Sequence, residues 1–198
     1  KMVGLPDGLG AVDNGDGTFT LFMNHEAGNT LGIVRAHGSV GSFVSQWTIR
    51  KSDLKVLSGQ DMIQSPNDLF TWDGSAWVAG TTAISRLCSA DLAGKDAFYN
   101  PGSGKGHKGA IFLNGEENGA EGRAFAWVQA KGKTAANQMF QLPFLGKFSW
   151  ENAVANPYPQ DKTVVIGTDD STINGQVYVY VGDKATTGNA VQKAGLHG

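Results

Sequence analysis

Three times in this chain an apolar run passes through a polar or glycine residue into acids. FTLFMNHE ends at Glu26, AIFLNGEE at Glu116 and Glu117, and TVVIGTDD at Asp169 and Asp170. A fourth, looser instance is KFSWEN, which carries Glu151. The chain has only five glutamates (Glu26, Glu116, Glu117, Glu121 and Glu151), and all lie in or beside these segments. Glutamate used for general solubility would be scattered. Carboxylates brought together repel one another unless cations or protons compensate them. Hard cations such as Ca²⁺ take about six to eight oxygen ligands. The single cysteine, Cys88 in SRLCSADL, adds a soft donor that suits a transition metal. To ligate it must be a thiolate, which needs a metal or nearby cations, and Arg86 stands two residues away. The plainer alternative is that the acids are solvated loop tips and that Cys88 is a small buried hydrophobe.

Other chemistries have less support. His25 beside Glu26 either binds metal or is a hydrogen-bonded histidine near the core, and no second histidine stands at metal-ligand spacing. His37, His107 and His197 sit in glycine-rich loop sequence. No Gly-x-Ser-x-Gly occurs, so a serine-hydrolase elbow has no local basis. GSGKGHKG, at 102–109, has the look of a phosphate-cradling loop but lacks the full P-loop pattern and precedes a strand, which makes it a surface loop. Arg123 opens a strand just after Glu121, and either contacts an oxyanion or pairs with that acid. The five tryptophans invite a carbohydrate-binding reading, although in a β-rich chain they pack sheets more often.

The elements that must position these residues are strands. Asp16-Gly17 is a hairpin dipeptide ahead of FTLFM. SFVSQWTI alternates, RKSD is a turn, and LKVLS is the returning strand. AIFL, RAFAWV, TVVIG and QVYVYVG are further β-rich runs bounded by Gly, Asn and Asp. Only SADLAGKDAFY, at 89–99, offers a turn or two of helix, with Ser89 as N-cap. The expected fold is all-β, a sandwich, barrel or propeller. A β-propeller would give the repeat a geometry, because equivalent strand ends of successive blades converge on one channel mouth.

Composition sets outer limits. The 198 residues carry 16 Lys+Arg against 18 Asp+Glu, a net charge of −2, which argues against a basic nucleic-acid binder. Charged residues make up 17 %, and glycine is unusually frequent at 28 residues. Hydrophobic content of 40 % is enough for a core. No apolar run approaches the ~18 residues of a membrane span. One cysteine excludes an intrachain disulfide. Both ends read as cut, so the chain is expected to be a mature or partial one.

The ordered set Asn24-His25-Glu26, Gly115-Glu116-Glu117-Asn118, Trp150-Glu151-Asn152-Ala153-Val154 and Gly167-Thr168-Asp169-Asp170-Ser171 resembles the PhoX-type alkaline phosphatases and their uncharacterised relatives. Cys88 falls between the first two motifs, where that family has a metal-binding cysteine. The resemblance covers about 7–182. It implies an exported, periplasmic or secreted β-propeller with calcium and iron at its channel mouth, acting on phosphate monoesters. By residue it implies Cys88, Glu117 and Glu151 as metal ligands and catalytic centre, with Glu26, Glu116, Asp169 and Asp170 as further metal candidates. Two departures stand out. Ser149 occupies the place of a phosphate-gripping arginine, two positions before Glu151. Lys147, on the same strand face, and Arg123 are the remaining candidates for binding substrate. The second departure is length. At roughly 40–50 residues per blade the chain supplies about four, a partial propeller. It is therefore expected to be a single propeller-like domain, 1–198, of a longer chain, associating with the rest of its propeller or with other copies. The alternative is a non-catalytic, calcium-stabilised propeller module for surface, matrix or assembly contacts.

Overall fold

The structure is a computed structural model and describes residues 3–131 and 135–198. The first sheet is an antiparallel meander of β1 (Leu5–Asp13), β2 (Thr18–Glu26), β3 (Phe43–Arg50) and β4 (Val56–Asp61), in that order. Its first turn is the expected hairpin. Gly15 and Gly17 take φ of +77° and +87°, and Asp13 and Asp16 accept the backbone N–H groups of Gly15 and Thr18.

The chain next forms the hairpin β5 (Leu69–Trp72) and β6 (Trp77–Ala79), and then β7 (Leu87–Leu92). The short hairpin β8 (Tyr99–Asn100) and β9 (Lys105–Gly106) follows; of GSGKGHKG only the tip, 102–104, is the exposed loop expected, while Lys105–Gly106 form β9 and Gly109 is buried. β10 (Ile111–Glu116), β11 (Ala124–Val128) and β12 (Gln138–Gln141) complete a second sheet in the order β6-β5-β12-β11-β10-β7. It is a second antiparallel meander, β7-β10-β11-β12, to which the β5–β6 hairpin adds through a parallel β5–β12 pairing. The third sheet is β13 (Trp150–Ala155), β14 (Lys162–Asp169) and β15 (Val177–Asp183). A helical turn, α1 (Ala190–Lys193), follows, opened by a capping box between Asn189 and Gln192.

The short helix expected within 89–99 does not form. Ser89 to Leu92 belong to β7, with Ala90 and Leu92 paired to Asn114 and Phe112 of β10. Tertiary packing overrides local preference here. β1 lies so close to β7 that a Cβ on Gly8 would come within 2.4 Å of the Ala90 nitrogen. A Cβ on Gly10 would come within 2.5 Å of the Leu92 Cβ. These two glycines of LPDGLGAVD are what lets the strands approach.

The fold is therefore all-β, with several sheets, none of them closed. Among the described residues three sheets have three or more strands, where sequence length suggested about four units. β7 packs against β1 on one side and β13 on the other, so the first strands of the three meanders lie side by side. Phe22, Phe112, Phe125 and Trp127 fill the core between the first two sheets. Leu113, Phe148, Trp150, Val165, Val191 and Leu196 belong to a second core spanning the second and third sheets and α1. Trp127 and Trp150 are wholly buried, the packing role expected of tryptophan. The outward face of the third sheet stays apolar and exposed, with Val154 opposite Ile166 and Ile166 opposite Val179. No helix among the described residues is long and apolar enough to cross a membrane.

Candidate metal centre

The strand-to-acid repeat corresponds to one structural position. FTLFMNHE, AIFLNGEE and TVVIGTDD contain β2, β10 and β14, the strands that follow the first strand of each meander in its sheet. In each case the first acid of the run pairs with a residue near the start of the first strand: Glu26 with Leu5, Glu116 with Leu87, Asp169 with Trp150. The side chains that meet come from both strands. One step past those partners stand Cys88 and Glu151, and Asp7 stands two steps past Leu5, in the register irregularity of β1.

Cys88, Glu117 and Glu151 each place one donor atom within 4.8 Å of the other two. The Cys88 Sγ is 3.5 Å from Glu151 Oε2 and 3.6 Å from Asp7 Oδ2. Its single proton can serve only one of these carboxylates at a time. Burial, reinforced by the Asp7 and Glu151 charges, pushes the Cys88 thiol far above its ordinary range. Burial also raises the Glu117 carboxyl, opposed by Arg86 and assisted by Asp170 and Glu26. The cluster is thus a half-buried pool of negative charge. Among the described residues the cation that pairs at its edge is Arg86, whose Nε donates to Glu26 and whose Nη2 donates to Glu117, both at 2.9 Å. Among the described residues neither Asp7 nor Glu151 has an ion-pair partner.

The backbone beneath is firmly held. Arg86 has φ +40°, a left-handed conformation that is strained for a side-chain-bearing residue. Its N–H donates to Ala27 O, and its carbonyl accepts the Glu117 N–H at 2.9 Å. The Asn24 amide donates to the carbonyls of Cys88 and Ser89, and Asn24 accepts from Asn114, which accepts from Trp127. This buried polar chain fixes the height of Cys88 relative to β2 and β10. Ser89 donates across to Asn152, tying β7 to β13.

Not every expected site residue joins. Glu116 points the other way and is almost wholly buried against Arg123, which donates to both its oxygens at 2.7 Å. The N–H groups of Ser85 and Arg123 donate to the same carboxylate. Arg123 further donates to Thr82 Oγ1 and the Ala83 carbonyl. Glu116 is therefore no ligand of this cluster, and Arg123 is a structural clamp that also rejects the expected pairing with Glu121. Glu121 instead pairs with Lys147 in an exposed bridge outside the cluster. Asp169 accepts from the Ser171 hydroxyl, and the Asp170 N–H bonds the Ser149 carbonyl, which puts Asp170 at the rim beside Glu117. His25 is buried with both ring nitrogens engaged, to the Val3 carbonyl at 2.6 Å and Ser45 Oγ at 2.7 Å, so it is the hydrogen-bonded core histidine. His37, His107 and His197 each keep a buried ring nitrogen without a partner.

Asp7 is the member that the sequence did not reveal. Its segment has Pro6 and two glycines and reads poorly as a strand. A usable signal was the register itself: in all three meanders a donor stands just past the residue that pairs with the repeat acid.

The donor set suits a cation. Two ligands bound to one ion at bond lengths near 2.3 Å lie roughly 3–4 Å apart, the range of the Sγ contacts. Neither a scan against protein-family models nor searches of curated proteins and of solved structures finds a match to this chain.

Proposed function

We propose that Cys88, Glu117 and Glu151 hold a metal cation, with Asp7 as a fourth donor, in a metal-dependent phosphate-monoester hydrolase or a part of one. The observation that carries this reading is the convergence of a thiol and several carboxylates, from three sheets, with too little positive charge beside them among the described residues. A cation bound there supplies Lewis-acid polarisation of a phosphoryl oxygen and relieves the mutual repulsion of its ligands. Iron suits a mixed sulfur and carboxylate set, and calcium suits the oxygen-rich rim of Glu26 and Asp170, to which Asp169, next in the chain and held by Ser171, would be a further donor.

The chain's own residues divide the remaining work. Arg86 presents a guanidinium, half-exposed, at the cluster's edge, and can take two oxygens of a phosphoryl group in its planar fork. It stands two residues before Cys88, as Ser149 stands two before Glu151. It therefore occupies in the second meander the place that lacks an arginine in the third. The strained backbone and the two carboxylates hold the guanidinium in one direction before substrate arrives. Hydrolysis forms a bond from water oxygen to phosphorus and breaks the ester P–O bond. The alcohol leaves with one proton of that water, and no electrons change hands.

The side-by-side first strands and same-end acids support reading the three meanders as consecutive blades of a β-propeller. The exposed apolar face of the third sheet fits association with further blades or another copy. By the same resemblance the working location is periplasmic or secreted. A second reading, a calcium-stabilised propeller module without catalysis, is favoured by Ser149. The two part on one experiment. Phosphatase activity of the full chain loaded with iron and calcium is measured against Cys88→Ser. The hydrolase reading expects turnover that falls at least a hundredfold in the variant. A cation-bound, folded chain without turnover would leave the module.

A further inference from the structure

Beside the cluster lies a cavity of about 530 Å³, within the usual range for small-molecule sites. Glu26 and Arg86 form part of its wall, so it adjoins the candidate metal centre through Arg86, which donates to both Glu26 and Glu117. The rest of the lining is mostly carbon, from Leu5, Leu31, Ile33 and Phe43 among others. Leu5, Leu31 and Ile33 are 65 %, 59 % and 71 % exposed, apolar side chains gathered around a hollow with water as their neighbour. The loop that carries two of them is built rather than loose. Leu31 N–H bonds the Gly28 carbonyl, Gly41 N–H bonds the Leu31 carbonyl, and the Arg35 guanidinium lies 4.0 Å over Phe43 while paired with Asp61.

We propose that this cavity receives the alcohol portion of the substrate, and that the substrates are phosphate monoesters of apolar alcohols, alkyl or aryl. The proposal rests on the hydrolase reading of the adjoining cluster. A phosphoryl group placed on Arg86 and the cluster leaves its ester substituent to enter the hollow. That hollow is a poor host for a polyol. Away from the Glu26 and Arg86 edge, both His25 nitrogens are engaged and Arg35 is held by Asp61, so sugar or glycerol hydroxyls placed there would leave water with few partners to gain. An alkyl chain gains about fourfold for each methylene buried.

The test uses the full chain loaded with iron and calcium and a series from ethyl to octyl phosphate, with glycerol phosphate alongside. kcat/KM is measured for each, and equilibrium binding of each ester is measured separately by ligand-observed NMR. The expected result is a rise of about fourfold per methylene until the cavity fills, with glycerol phosphate no better than ethyl phosphate. Ile33→Asp should flatten that slope. Leu54→Asp, 69 % exposed in the β3–β4 turn at the end of the first sheet opposite Glu26, should keep it. Circular dichroism confirms that both variants are folded. Chain-length-independent kcat/KM and binding would overturn the proposal. If no ester is hydrolysed, the hydrolase reading fails by itself. The cavity is then judged on binding alone: an octyl preference sensitive to Ile33→Asp sustains it, and equal binding of ethyl and octyl phosphate overturns it.

Discussion

Glu116 and Glu117 are neighbours in sequence and opposites in setting. Glu116 lies within the second sheet and is met by a bidentate arginine and two backbone N–H groups, so its charge is matched on every side. Glu117 faces the gap where the three meanders meet, beside a thiol, Glu151 and Asp170, with half of one guanidinium. The first arrangement is complete without any other molecule. The second is made of groups that destabilise one another until something positive joins them. A buried pair with all its hydrogen bonds met is structure, whereas converging donors left short of cations are candidates for a site.

The largest expected effect breaks the complete arrangement. Arg123→Ala strands the Glu116 carboxylate in the core and should cost about 3–5 kcal/mol, a fall in Tm of roughly 10 °C. Thermal unfolding checks this, and the loss should be unaffected by iron or calcium. A drop of only a degree or two would mean that Glu116 is less enclosed than its contacts imply.

A buried ring without a partner gives a middle case, separable by pH. His107 keeps its Nε2 buried and unpartnered, and burial, then Lys193 and Lys131, push its pKa down to about 4. Between pH 6.5 and 4 the unfolded chain binds a proton that the folded chain refuses. The stability His107 contributes is thus present above its unfolded pKa and is lost as pH falls towards its folded one. The loss should be about 1–2 kcal/mol, allowing for the ring's partial exposure to solvent. His25 and His37, also depressed by burial, act with the same sign. Chemical denaturation at a series of pH values, with His107→Asn removing part of the slope, measures it.

The smallest stability effect has the opposite sign from the first. With chelator present, Glu151→Gln removes one of the repelling charges and should raise stability by about 0.5–1 kcal/mol. With cation present, the same variant should be the less stable protein. Denaturation in chelator and in excess iron and calcium reads both, and a loss in chelator would place Glu151 in the structural class with Glu116.

Much of this contrast was legible in the residue order. The repeated run into acids marks β2, β10 and β14, and Cys88, Glu117 and Glu151 do meet. What one dimension hides is which neighbour faces which way. Glu116 and Glu117 are indistinguishable as letters, since sidedness depends on strand register and on where Arg123 returns. Asp7 was hidden because its strand breaks the alternating pattern at Pro6 and Gly8 for the sake of close approach to β7. The segment after Cys88 looked helical because a partner strand about 20 residues further on, β10, decides its state. The β5–β6 hairpin joins its sheet by pairing with β12, some 70 residues away, which no local signal announces.

The open cluster, and not the closed Glu116–Arg123 pair, is the proposed cation site. Elemental mass spectrometry of the chain purified without chelator tests it most directly, alongside Cys88→Ser and Glu117→Gln. The expected result is iron, calcium or both at whole-number stoichiometry in the native chain, with at least one ion lost in each variant. Native protein without bound metal, or the same metal content in all three proteins, would contradict it.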